Sequence, residues 1–378
     1  MNIRELSGAL LSLCRTAIRA DKLNIDGISL AHLHSMTYRH GLDGSFYYIL
    51  SDVISDADAL EEFHKAHQRL RLVTAKQDSV RQRLLSRFEA AKIHAMPLKG
   101  EQIRAFYPED LCRPSSRINI LVEKEKLSLA EQILLGEHFE EIERTESTVT
   151  YRQAPYIIVS LHSALAAKDC PYRSYFDEML LRSPVFEGKE YIHKMTLTDS
   201  YIYLLEFAYE NLLELGAGIR TIIDLGIFTQ HITNELQNKD LQETLKKLKL
   251  TRFAEVMHQL YHSWMDNIPL KGSMGLLSDL ILAKGFYGTF ENYLDAIYED
   301  RSTFSAIFLP FFRMRVAEPW CTTPLLYPLA LLTRAYRVIF HEKDRRDETT
   351  LPHLTRGLTE MERYAIWRGV GVKMKRKG

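Results

Sequence analysis

Two polar residues two positions apart, Arg117 and Asn119, stand at the mouth of the apolar run Ile118 to Val122. Alternate side chains of a strand share a face, so this guanidinium and this amide project together beside residues that belong to a core. Upstream, Met96-Pro97-Leu98-Lys99-Gly100 reads as a strand closed by a tight glycine turn that leads into a helix. Free N–H groups and the dipole at such a helix start attract anions. Lys99, Arg113 and Arg117 add positive charge close by, and a guanidinium matches phosphate bidentately. The chemistry these residues could do is binding of phosphate or a similar anion. Taken alone, Lys99 reads equally well as a solvated turn residue. Arg117 reads equally well as a strand-end charge in water, or as the partner of Glu101 or Glu123.

Other chemistries find no support. Gly216-Ala217-Gly218 is not a dinucleotide fingerprint, because Thr221 stands where the third glycine belongs and no strand precedes it. The chain has no phosphate-binding loop of the Gly-Lys-Ser type, no His-Glu-x-x-His and no Gly-x-Ser-x-Gly. His162 reads as a hydrogen-bonded core or rim histidine. Arg220 and Asp224, four apart on a helix, read as a solvent-exposed ion pair worth about 0.3–0.5 kcal/mol. The cysteines Cys14, Cys112, Cys170 and Cys321 lack paired spacing, which points to reduced structural thiols of an intracellular protein and to no metal.

The elements that must position these residues follow from periodicity. Residues 1–90 read as an N-terminal helical segment, clearest from Ala66 to Lys92, where Leu70, Val73, Val80, Leu84 and Phe88 recur at helical spacing. Polar Gln77 and Asp78 interrupt that stripe. Residues 91–190 alternate strand and helix: Ile93 to Leu98, a helix at Glu101 to Tyr107, the strand ending at Val122, and a helix from Glu125 closed by Gly136. Phe139 to Ile142 reads as an edge strand, followed by Thr148 to Gln153 and Tyr156 to Leu161. This is an α+β core, a small mixed sheet with helices on one side. Residues 191–378 read as a C-terminal helical domain that opens with a helix capped by Thr198 or Asp199. Later helices are expected at 302–315 and 324–340, with a basic tail at 373–377.

Length and charge narrow the class further. A chain of 378 residues has ample core for two or three domains. Its 49 basic and 49 acidic residues balance, so bulk charge selects neither nucleic acid nor an anionic membrane. Arg4, Glu5 and Arg15 interrupt the first apolar stretch, which excludes a signal peptide, and a cytoplasmic location is expected.

The run from Leu98 to Val122 resembles the nucleotidyltransferase family 5 proteins, an uncharacterised branch of the polymerase-beta-like superfamily. There a Leu-Lys-Gly turn ends one strand and an Arg-x-x-x-Asp-h-Asp-h-Leu-Val segment, with h apolar, forms the next. Leu98, Lys99, Gly100, Arg113, Ile118, Ile120, Leu121 and Val122 match as they stand. Arg117 and Asn119 occupy the places of the two aspartates. The similarity continues through Gly216 to Asp224 and more weakly through Gly285 to Gly288 and Pro324 to Arg337. It implies a nucleotidyltransferase-like fold and, for the third carboxylate, the position of Ser160 ahead of Leu161 and His162. It further implies that Arg220 and Asp224 face the cleft.

Nucleotidyl transfer uses two divalent metals on carboxylates. Magnesium prefers charged oxygen ligands, and Arg117, Asn119 and Ser160 offer a cation, an amide and a hydroxyl. The expectation is a nucleotidyltransferase-family pseudoenzyme, with no metal, that binds a nucleotide such as ATP or another phosphorylated small molecule through Lys99, Gly100, Arg113, Arg117 and His162. Two alternatives stand beside it. One is an active enzyme using rearranged acids such as Glu109, Asp110 or Glu123. The other is a scaffold or biosynthetic accessory protein with a protein partner.

Overall fold

A computed structural model describes residues 3–98, 103–155, 157–166, 170, 173–214, 218–232 and 239–284. The helices expected at 302–315 and 324–340, the tail, Gly285 to Gly288 and Cys321 lie outside them. The helices are α1 (Ile3–Arg19), α2 (Leu30–Arg39), α3 (Tyr47–Ser51), α4 (Glu61–Ala90), α5 (Leu127–Gly136), α6 (Arg173–Asp177) and α7 (Met179–Arg182), followed by α8 (Leu197–Glu214), α9 (Ile219–His231), α10 (Lys239–Lys247), α11 (Thr251–Met265) and α12 (Gly272–Lys284). Five strands join them: β1 (Ala95–Pro97), β2 (Ile118–Val122), β3 (Glu140–Arg144), β4 (Thr148–Gln153) and β5 (Ile157–His162). Among the described residues no helix is long and apolar enough to cross a membrane.

The strands form one mixed sheet in the order β1-β2-β5-β4-β3. Only β2 and β5 run parallel, joined by a crossover through α5 and the β3-β4 hairpin. One face of the sheet is apolar. Ile118, Ile120, Val122, Val149, Tyr151, Ile157, Val159 and Leu161 pack there against Val80, Leu84 and Phe88 of α4 and Ala130 and Leu134 of α5. The alternation that made these segments legible as strands is the same alternation that buries this face. The edge strand β3 is Glu-Glu-Ile-Glu-Arg and exposed throughout, a charged edge that discourages pairing with another chain.

The connections that aim β1 and β2 depend on residues whose role periodicity hides. Helix α4 ends with Lys92 in the left-handed region at φ 55°; Lys92 N–H donates to Glu89 O at 3.0 Å and Ile93 N–H to Phe88 O at 2.9 Å. That is a Schellman close, and it drives Ile93 into the core two residues before β1 begins. A side chain in this conformation costs about 1 kcal/mol that glycine does not pay. Lys92→Gly should therefore raise stability by about 1 kcal/mol, read as a higher urea midpoint with unchanged slope. Helix α5 closes the same way through His138 at φ 63°, with Phe139 N–H on Leu134 O. Gly136, expected to close it, is instead its last helical residue, because the chain needs two more residues to return Phe139 to the core.

Two further expectations are corrected. The cap of α8 is Thr196, not Thr198 or Asp199: Asp199 N–H donates to Thr196 Oγ1 at 3.1 Å, and that hydroxyl donates to Asp199 Oδ2 at 2.8 Å. This reciprocal box places Asp199 three residues into the helix side. The helix after Leu98 also ends earlier than the expected Tyr107, since Ile103 and Arg104 are helical but the chain turns at Ala105.

The chain forms two compact units, each from separated stretches. The sheet belongs to the unit made of Leu42–Leu204 and Ile227–Thr251. The other unit takes Met1–Gly41, Leu205–Gly226 and the residues from Arg252 on. In it, Arg15 donates to Trp264 O at 2.9 Å and Arg19 pairs with Asp266 at 2.6 Å, fastening α1 to α11. Gly226 lets α9 meet α11 closely, since a Cβ there would stand 2.0 Å from the Tyr261 ring.

Candidate functional site

The second face of the sheet is polar where the first is apolar. Asn119 of β2 and Ser160 of β5 are direct register partners, so their side chains sit side by side. Thr150 of β4 opposes Ser160 and Thr148 opposes His162. The hydrogen bonds connect this row. Thr150 Oγ1 and Ser160 Oγ lie 3.1 Å apart. His162 Nε2 donates to Asn119 Oδ1 at 3.1 Å, leaving Nδ1 to accept from the Thr148 hydroxyl at 3.0 Å. Ser160 is fully buried, whereas Asn119 and His162 are half-exposed. Thr148 and Thr150 were missed in the sequence. The alternation Thr-Val-Thr-Tyr across β4 holds the signal, because it puts both hydroxyls opposite the core face.

Arg117 precedes β2 by one residue and shares the parity of Asn119. Its carbonyl accepts from Ser115 Oγ at 2.8 Å, a local bond that sets the entry of the strand. The guanidinium is half-buried and makes no ion pair among the described residues. Glu123, considered as its partner, is engaged elsewhere: it accepts from His94 N–H at 2.9 Å and pairs with Lys126 at 3.3 Å, past the far end of β2.

The loop that carries Arg113 and Arg117 is pinned by α4 and α3. Gln77, buried in α4, donates to Ser115 O at 3.2 Å. Asp78 takes both carboxylate oxygens to Arg104 at 3.0 Å and also pairs with Arg81. The two polar residues that interrupt the α4 stripe are thus its fastenings to the site, which periodicity reads only as gaps. Cys112, next to Arg113, lies 2.9 Å from the Tyr48 hydroxyl. Burial, with the charge of Glu109 added, pushes its thiol up, so it stays a neutral anchor.

The other anticipated residues fall as follows. Leu98 N–H donates to Asn119 O at 2.9 Å, which ties the residue after β1 to the start of β2. Lys99 and Gly100 lie outside the described residues, as do Gly216 and Ala217. Arg113 is half-buried beside the pinned loop. Arg220 and Asp224 belong to the other unit, where Asp224 is buried. Cys14, Cys112 and Cys170 form no disulfide among the described residues. Among the described residues no group of three or more His, Cys, Asp or Glu side chains is placed to hold a metal ion.

A mixed five-stranded sheet whose crossover strands carry adjacent polar side chains, backed by helices on the opposite face, makes this an α+β fold. The chain belongs to the uncharacterised nucleotidyltransferase family, whose profile matches residues 27–266. No curated protein matches it. Among solved structures, the antibiotic-resistance factor ANT(2'')-Ia, whose solution structure is described as revealing substrate-regulated conformation dynamics, is similar at 12% identity with a TM-score of 0.34. The match covers 50% of this chain and 98% of that one. A likeness of that size supports no statement about what this chain does.

Proposed function

We propose that this protein is a nucleotidyltransferase-family member that has lost the two-metal site and binds a nucleotide or other phosphorylated ligand without transferring it. The observation that carries this reading is the polar face of β2 and β5. Arg117, Asn119 and Ser160, which the family resemblance sets in the places of the three carboxylates, are a cation without an ion pair among the described residues, an amide and a buried hydroxyl. This donor set does not fit magnesium, which takes charged oxygens. It does fit an anion, because a half-buried guanidinium supplies fixed positive charge where water screens it weakly. None of Asn119, Ser160 and His162 is a carboxylate, so none of the three repels a phosphate there. In this reading Lys99 and Gly100 supply further contacts to the phosphate, and Arg113 adds charge at the rim.

ATP with magnesium and ATP with EDTA should raise the melting temperature equally, since a ligand that binds only the native state stabilises by mass action. Arg117→Ala should abolish the shift and leave the apo melting temperature nearly unchanged, because the guanidinium makes no ion pair among the described residues that the fold would lose. A shift that needs magnesium, or one that survives Arg117→Ala, would refute the reading. No shift with ATP or with inorganic phosphate would favour a scaffold whose cleft is unused.

A further inference from the structure

The unit that holds the sheet also contains a cavity of about 310 Å³ lined by neither Arg117, Asn119, Ser160 nor His162. Its walls include Leu98, Phe186, Met195 and Leu204, with the Ser200 side chain among them and Lys194 at the margin. A concave space of this size with mostly apolar walls and few polar groups has the character of a small-molecule site. The apolar walls select against sugars: every hydroxyl buried there without a partner would cost about 1–3 kcal/mol.

Lys194 is the feature that defines the ligand's charge. Its backbone is held firmly, with its N–H on Pro184 O at 2.7 Å, and the neighbouring His193 N–H bonds Ala95 O at 2.8 Å. Its side chain is exposed, and among the described residues its ammonium makes no ion pair. A positioned cation at the edge of an apolar pocket recognises an apolar body that bears an acid. Phe186 and Tyr203 line the same space and offer ring faces and edges, which aromatic groups meet in offset or edge-on geometry.

We infer that this cavity is a binding site for an aromatic acid, with its ring system between Leu98, Phe186 and Leu204 and its carboxylate on the Lys194 ammonium. This goes beyond the phosphorylated ligand proposed above and depends on neither Lys99 nor Arg117. It gives the protein a second ligand, held by residues of the cavity alone.

The test uses the full chain and 2-naphthoate, with 2-naphthamide as the uncharged isostere. Calorimetric titration should show saturable 1:1 binding of naphthoate and binding of naphthamide weaker by about fivefold, the scale of one exposed ion pair. Lys194→Glu should weaken naphthoate by about fivefold or more and leave naphthamide unchanged. Ala105→Trp, at an exposed position on the lining, should block both probes without lowering the apo melting temperature. Absence of naphthoate binding would overturn the inference. So would equal loss of both probes in Lys194→Glu, or retention of both in Ala105→Trp. The ATP-induced shift should persist in Lys194→Glu, so failure here is distinguishable from failure of the phosphate reading.

Discussion

Acidification from pH 7 to 4.5 should cost the unit containing α1, α2, α11 and α12 roughly 2–3 kcal/mol through one residue, His40. His40 follows α2 and is fully buried, with its Nε2 donating to Leu282 O at 3.0 Å and its Nδ1 left without a partner. Burial lowers its pKa from 6.5 to about 4; the bond to Leu282 opposes that, while the nearby charges of Arg220 and Arg39 add to it. The native state thus refuses a proton that the unfolded chain accepts. The stability is fully present above pH 6.5, is lost progressively as the pH falls, and levels off below about 4. Urea unfolding at the two pH values should show the loss, after subtracting the same measurement on His40→Gln. The glutamine keeps an N–H for Leu282 O and cannot titrate. Equal pH dependence in the two proteins would mean that His40 is not held neutral by the fold.

The second large effect comes from rebuilding the carboxylates. Arg117→Asp, Asn119→Asp and Ser160→Asp together should destabilise the protein at neutral pH by several kcal/mol, of the order of 3 or more. Ser160 is fully buried, with the Thr150 hydroxyl as its side-chain hydrogen-bond partner, so an ionised carboxylate there lacks a compensating charge, and an aspartate at its register partner 119 would repel it. Magnesium should restore most of the loss, since Asn119 and Ser160 already stand side by side on one face. The recovery is the informative part, because repulsion alone would occur at any clustered site. If the triple variant does not fold, the pair Arg117→Asp with Asn119→Asp leaves Ser160 in place and should still show a magnesium-dependent rise in melting temperature. A melting temperature indifferent to magnesium in both variants would mean these positions do not converge, and the correspondence with the family's carboxylates would fall with it.

Much of the sheet was legible beforehand. Strands β2, β4 and β5 were readable because one face of each is core, and alternation is then imposed residue by residue. The charged edge strand was readable for the converse reason. Arg117 and Asn119 could be paired on one face from spacing alone, since a period of two is local. The helical ends were not legible. Gly136 and Thr198 are reasonable closing and capping residues by type, yet His138 and Thr196 do that work, because the choice depends on where Phe139 and Asp199 must be buried.

By itself the sequence determined the residue types of the site: a guanidinium, an amide and a hydroxyl where carboxylates would hold metal, at positions a local repeat can align. It also determined which segments are strands and which helices, because their apolar periods are short-range. Only the tertiary structure decided that Asn119 meets Ser160 and that Thr148 and Thr150 complete the row, since the parallel pairing of β2 with β5 joins residues about forty apart. Only the tertiary structure turned Gln77 and Asp78 from gaps in a stripe into fastenings, Gln77 for the loop before β2 and Asp78 for Arg104. A buried polar side chain takes its meaning from the group it bonds, and that group lies elsewhere in the chain.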